Sequence, residues 1–147
     1  MSTIVALDPG FGNTKVASEG KVYVLQSAVA RPREIGMAAK GLEIQTRPQT
    51  VTLASGLSFV AGAGAWAWGE PLSTLDFNDL TSPQRLALFY AALSHLLPPG
   101  EHVIDLLVVG LPVPLLQDEL QANAVMASLG QYKTVHEFTV NGRNIPC

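Results

Sequence analysis

The chain has 147 residues, 48% apolar and 14% charged, with nine basic against twelve acidic side chains for a net charge of −3; the expectation is one ordinary domain with ample core material, and general disorder is excluded. No basic stripe is available to neutralise a nucleic-acid backbone, and no apolar run approaches the ~20 residues that span a bilayer, so neither nucleic acid nor membrane is an expected direct partner. The one cysteine, Cys147, leaves no intramolecular disulfide and no zinc site, which suits a reducing, cytoplasmic compartment.

Ile4-Val5-Ala6-Leu7, stopped by Pro9-Gly10, predicts a strand buried on both faces and then a tight loop. Thr14–Ser18 and Lys21–Leu25 flank Glu19-Gly20 and predict a hairpin, so the chain opens with three successive antiparallel strands. Residues 27–50 carry Arg31, Arg33, Lys40 and Arg47 with Pro32 and Pro48, keep no period, and predict an irregular excursion over the surface. Val51–Ala54 and Leu57–Val60 around Ser55-Gly56 predict a second hairpin with a two-residue turn. Ala61–Gly69 alternates small residues with Trp66 and Trp68, which predicts close packing rather than a base-stacking platform.

Ser82-Pro83 supplies a cap and a first helical residue, Leu86, Phe89, Tyr90, Leu93 and Leu97 follow at spacings of three and four, and Pro98-Pro99-Gly100 ends the run. The reading is a core-facing helix, with His95 expected to cap its last carbonyls. Val103–Val109, with Asp105 its one polar interruption, predicts a buried central strand. Leu115, Leu116, Leu120, Met126 and Leu129 predict a second helix stopped by Gly130. Strand, helix, strand argues for an α/β layer fold on a mixed sheet flanked by helices. Lys133–Val140 predicts a strand and Asn141-Gly142 a hairpin turn with only residues 143–147 left after it, so the expectation is a sequence that continues beyond residue 147, with an unusually short final edge strand as the alternative.

Chemistry concentrates between the first two strands, in Asp8-Pro9-Gly10-Phe11-Gly12-Asn13-Thr14-Lys15. Glycines at 10 and 12 let successive backbone N–H groups point into one concavity that suits phosphate oxygens. Asp8 is a candidate to hold Mg²⁺ through water, Thr14 adds a hydroxyl, and Lys15 brings a compact positive charge to the phosphates. The pattern is neither the P-loop nor the dinucleotide fingerprint, because a strand rather than a helix follows. On these residues alone, a plain glycine-rich hairpin turn is an equal reading.

The same segment resembles the first phosphate motif of the actin, sugar kinase and heat-shock chaperone superfamily, in the Asp-x-Gly-x-Gly-Asn-Thr-Lys form of the ParM/StbA-like actins. The resemblance continues through Gln26-Ser27-Ala28-Val29-Ala30, through Ser55-Gly56 to Trp68-Gly69-Glu70, through Ser82-Pro83 and its helix, and through Gly110-Leu111-Pro112-Val113. Gln26 and Ser55 depart from the family's usual proline and aspartate at peripheral positions. The resemblance implies an actin-like ATPase (ribonuclease H-like) domain I, whose amino-terminal part occupies residues 1–147. It implies binding of ATP and Mg through Asp8, Gly10, Phe11, Gly12, Asn13, Thr14 and Lys15, with Asp8 toward the metal. It further implies self-association into filaments and a role in plasmid or DNA segregation through a DNA-binding adaptor. The family's second phosphate loop, its adenosine-binding glycines and its catalytic residues are expected beyond residue 147, so ATP hydrolysis is an expectation for the longer protein. A small-molecule kinase of the same superfamily and a non-catalytic actin-fold binding module are the alternatives.

Overall fold

The structure is a computed structural model that describes residues 3–10, 12–32, 49–72, 82–111, 117–133, 135–140 and 143–144. Two sheets, three α-helices and a 3-10 turn at Gly130–Tyr132 make up the described fold. Strands β1 (Ile4–Pro9), β2 (Asn13–Ser18) and β3 (Lys21–Gln26) form an antiparallel meander, and β8 (Leu106–Val109) joins β1 in parallel, for the order β3-β2-β1-β8. The second sheet holds β4 (Val29–Pro32), β5 (Gln49–Leu53), β6 (Ser58–Ala61), β7 (Gly69–Leu72), β9 (Phe138–Val140) and β10 (Arg143–Asn144), in the order β10-β9-β5-β6-β4-β7. Helix α1 (Ala65–Trp68) is a single turn; α2 (Pro83–Leu93) and α3 (Glu119–Leu129) are longer.

The opening meander follows the expected pattern. Glu19 and Gly20 both take positive φ, 50° and 79°, which is the geometry a two-residue turn needs to match the twist of its strands. Side chains alternate along β1, with Val5, Leu7 and Pro9 buried and Ile4, Ala6 and Asp8 exposed. The strand is therefore covered on one face among the described residues, where its apolar composition had suggested two. Val22, Val24, Leu106 and Val108 are also exposed, and β8 alternates in the same way. The stretch expected as a buried central strand thus lies at the sheet's edge among the described residues.

Helix α2 carries the core. Ser82 Oγ accepts from the Arg85 N–H and Pro83 occupies the first turn, as a capped helix start requires. Its buried residues run from Ala87 through Leu93 without a polar face, which marks a helix enclosed on all sides rather than laid on a surface. Val5, Leu7, Val16 and Leu25 of the first sheet and Val51, Phe59, Phe138 and Val140 of the second join it in one cluster. Tyr90 stacks on Phe138 with ring centroids 3.9 Å apart, and its hydroxyl meets His136 Nδ1 at 2.6 Å. His136 Nε2 lies 3.0 Å from the Tyr132 carbonyl; a carbonyl only accepts, so Nε2 donates to it.

Several sequence expectations are corrected here. The irregular excursion of 27–50 begins and ends in strands, since Val29–Pro32 pairs with β6 and β7 and Gln49 opens β5; four residues are too few for a period to show, and residues 33–48 lie outside the described set. The second hairpin turns through Ala54, Ser55 and Gly56, with Leu53 N–H donating to the Leu57 carbonyl and Gly56 at φ 91°, so the loop has one residue more than expected. Trp66 sits on α1 and is 54% exposed, against the close packing expected of it. Helix α3 buries only Val125 and Ser128, and Leu120 is 82% exposed; Leu115 and Leu116 lie outside the described residues. The final strand is confined to Phe138–Val140, and a two-residue β10 pairs with it.

His95 does not cap α2. Its ring stacks on Tyr23 of β3 with centroids 3.7 Å apart, and Nε2 meets Gln49 Oε1 at 3.0 Å, while Gln49 Nε2 donates to Ser94 Oγ at 2.7 Å. This chain of contacts ties β3, β5 and the end of α2 together. Partial desolvation of the ring against Tyr23, in a residue that is otherwise exposed, holds its pKa below the ordinary value of 6.5, so the folded protein favours neutral His95. That contribution to stability is complete above pH 6.5 and is lost as pH falls from there toward the lowered folded value, because the unfolded chain takes up the proton first. Urea midpoints measured from pH 8 to pH 5 are expected to fall more steeply for the parent than for His95→Gln; parallel curves would contradict this role.

Candidate functional site

The loop between β1 and β2 opens at the carboxyl ends of the parallel strands β1 and β8, the side on which open α/β sheets bind ligands. Gly10 N–H donates to the Asn13 carbonyl at 3.0 Å and lies 3.1 Å from the Asp8 carbonyl, closing a narrow turn. A Cβ at Gly10 would stand 2.5 Å from the Asn13 carbonyl oxygen, so the closure itself excludes any side chain. At Gly12 a Cβ would meet nothing within 4 Å. The loop is tight at one glycine and open at the other.

Asp8 and Lys15 are direct cross-strand partners and both are exposed, so acid and base stand side by side on the outer face at the loop's mouth. Asn13, also exposed, begins β2. Thr14 points the other way: it is 2% exposed, and its Oγ1 lies 2.9 Å from Ser27 Oγ. The structure thus gathers Asp8, Gly10, Gly12, Asn13 and Lys15 at the mouth and turns the Thr14 hydroxyl inward. Phe11 lies outside the described residues.

Three residues outside the motif build the site from behind. Ser27 donates from Oγ to the Gly10 carbonyl at 2.8 Å and from its N–H to the Gly12 carbonyl at 2.9 Å. Arg85, 4% exposed in the first turn of α2, donates from Nη1 to the Pro9 carbonyl at 3.3 Å. Gly110, just past β8, donates to the Leu7 carbonyl at 2.8 Å, and a Cβ there would lie 3.7 Å from Asp8 Oδ1. Each left a trace in the sequence. A basic residue in a helix's first turn opposes the dipole, which favours acids there, and so Arg85 was a signal of a tertiary task. Ser27 and Gly110 could be picked out only through resemblance, since their partners are remote in sequence.

The donor set fits a phosphate group. Gly12 leaves open space at the loop, Gly110 leaves the Asp8 carboxylate uncovered, and the Lys15 ammonium stands exposed opposite that carboxylate. Among the described residues no group of three or more His, Cys, Asp or Glu could hold a metal ion, so a cation at Asp8 would draw most of its ligands from water and from a bound anion. A cavity of about 660 Å³ lies elsewhere, lined among others by Phe89, Leu93, Leu107, Tyr132 and His136. It includes no residue of the loop, and we place the site at the loop because the charged and glycine-bearing residues converge there. No helix among the described residues is long and apolar enough to cross a membrane.

The fold is that of an actin-like domain. Residues 6–146 match the family described as the N-terminal domain of actin-like proteins, and the chain belongs to that family. Among solved structures, an apo pSK41 ParM protein superposes with a TM-score of 0.72 at 13% identity, over 99% of this chain and 46% of that one. An archaeal actin homologue, Ta0583, gives 0.67 at 24% identity, over 98% of this chain and 42% of that one. AlfA from a B. subtilis plasmid, solved as a filament, gives 0.65 at 15% identity, over 99% of this chain and 52% of that one. The chain therefore spans about half the length, or less, of the solved proteins it resembles. No curated protein matches it in sequence.

Gly10→Ala is expected to cost about 1–3 kcal/mol of unfolding free energy, because the Asn13 carbonyl it meets belongs to a paired strand and cannot give way. Gly12→Ala, into open space, is expected to stay within about 0.5 kcal/mol. Equal effects in denaturant titrations would contradict the tight and open halves of the loop.

Proposed function

We propose that residues 8–15 form one wall of a nucleotide site and that the chain is the nucleotide-binding part of an actin-like, filament-forming ATPase. The observation that carries this reading is the juxtaposition of Asp8 and Lys15 across a glycine-closed turn at the carboxyl end of the sheet. Phe11, Gly12 and Asn13 supply a backbone cradle for the phosphates of ATP, Gly10 closes the turn behind it with its own N–H on the Asn13 carbonyl, and Lys15 adds a charge-assisted contact. Asp8 holds Mg²⁺ through water, a mode that suits a cation reluctant to lose its hydration shell. Thr14 serves the same loop from the inner face. The bound Mg-nucleotide supplies the phosphoryl chemistry; the described residues bind it, orient it and balance its charge, which is most of what catalysis of phosphoryl transfer demands of a protein.

Membership of the actin-like family supports self-association, and filament structures of AlfA and of a Clostridium botulinum ParM are among the structural neighbours. We extend this to the chain's own protein: identical subunits meet through heterologous, non-closing contacts and so form open filaments. Plasmid or DNA segregation through a DNA-binding adaptor is the cellular role proposed, consistent with a net charge of −3 that gives no footprint for direct DNA binding. Hydrolysis is assigned to a protein of the neighbours' length, in which a second wall completes the cleft.

Lys15→Ala is expected to weaken Mg-ATP binding by about 1.5–3 kcal/mol in titration calorimetry, the range for a charged hydrogen bond. Unchanged affinity would make Lys15 a surface residue of β2. For the longer protein, light scattering should rise on addition of Mg-ATP and fail to do so in Asp8→Ala; a nucleotide-independent signal would count against ATP-driven assembly.

A further inference from the structure

Ser27 stands outside the loop in sequence, where the chain leaves the first sheet for the second, and is 6% exposed. Its hydroxyl has one hydrogen, which goes to the Gly10 carbonyl, because a carbonyl can only accept. The Thr14 hydroxyl, 2.9 Å away, therefore donates to Ser27. One side chain thus braces both limbs of the loop, the end of β1 through Gly10 and the start of β2 through Thr14.

The backbone of Ser27 adds a second constraint. Its N–H draws the Gly12 carbonyl toward β3, and the peptide joining Gly12 to Asn13 is planar and trans. The N–H of that peptide, contributed by Asn13, consequently points the opposite way. In the order β3-β2-β1 this is the β1 side, the span between the loop's limbs. The hydroxyl brace sets the width of that same span.

We propose that Ser27 is a positioning residue: by bracing Gly10 against Thr14 and drawing back the Gly12 carbonyl, it presents the Asn13 N–H to a phosphate of the bound nucleotide. The proposal rests on residues 8–15 being a phosphate site, and it assigns Thr14 a task its hydroxyl performs from the buried side. A serine of merely structural value would affect unfolding but not the affinity of molecules that remain folded.

The test is titration calorimetry on the 147-residue chain with Mg-ATP and with Mg-tripolyphosphate, at a temperature where circular dichroism shows parent and variants folded. Ser27→Ala is expected to weaken both ligands about tenfold, as loss of a bond that acts on the bound state requires, while Ser27→Thr, which keeps the hydroxyl, stays within about threefold of the parent. Equal affinities for parent and Ser27→Ala, or an equal loss in Ser27→Thr, overturn the proposal and leave the phosphate reading standing. Failure of the parent to bind either ligand overturns both. If Ser27→Ala does not fold, hydrogen exchange at the Asn13 amide of the parent decides: slowing of about tenfold or more on saturation with Mg-tripolyphosphate supports the proposal, and unchanged exchange overturns it.

Discussion

Helix α2 is enclosed so fully that Leu88 is 1% exposed and Ala87, Ala91 and Ala92 are wholly buried, so its stability comes chiefly from the two sheets packed over it. The consequences reach the site. Arg85 leaves the first turn of this helix to hold the Pro9 carbonyl, so the end of β1 is fixed from the core. A guanidinium taken out of water is costly unless it is hydrogen-bonded, and donation to a loop carbonyl is part of what makes its burial tolerable. The same enclosure explains the small residues of α2: alanines at 87, 91 and 92 allow two sheets to approach one helix closely, with leucine and aromatic side chains filling the remaining space.

The loop is held where the two sheets part. Gly10 is closed against Asn13, Ser27 draws the loop carbonyls inward, and Gly110 at the end of β8 leaves the Asp8 carboxylate open. Polar groups that would otherwise be buried without partners satisfy one another on the inner side, which leaves the outer side to charge. Asp8 and Lys15 need only the cross-strand register of β1 and β2 to meet. Hydrogen bonds satisfied on the inner side behind a charged outer mouth give the kind of preorganised arrangement that suits the proposed phosphate site.

What the sequence made legible was what short-range physics decides. The opening meander, the Glu19-Gly20 turn, the capped start of α2 and the glycine-bearing turn between β1 and β2 each show in local spacing or turn chemistry. Long-range packing decided the rest. The run ending at Val109 is apolar on both faces, yet its place in the sheet depends on which strands neighbour it. A position near the helix end suggests a cap for His95, whereas a tyrosine and a glutamine from two different strands claim its ring. Trp66 was assigned to packing from its small neighbours, and the single helical turn that exposes it is too short for any period to announce. At the site, a threonine in the motif could be named as a hydroxyl, but which way that hydroxyl faces follows from strand alternation combined with the partner at Ser27.

In the function proposed, the turn between β1 and β2 receives phosphate. The most direct measurement is amide chemical-shift mapping of the 147-residue chain titrated with Mg-ATP. A phosphate bound at this turn gives saturable shifts concentrated at Gly10, Gly12, Asn13 and Lys15, with a secondary set at Gly110. Shifts confined to the cavity lined by Phe89, Leu107 and Tyr132, or none at all up to millimolar ligand, would contradict it.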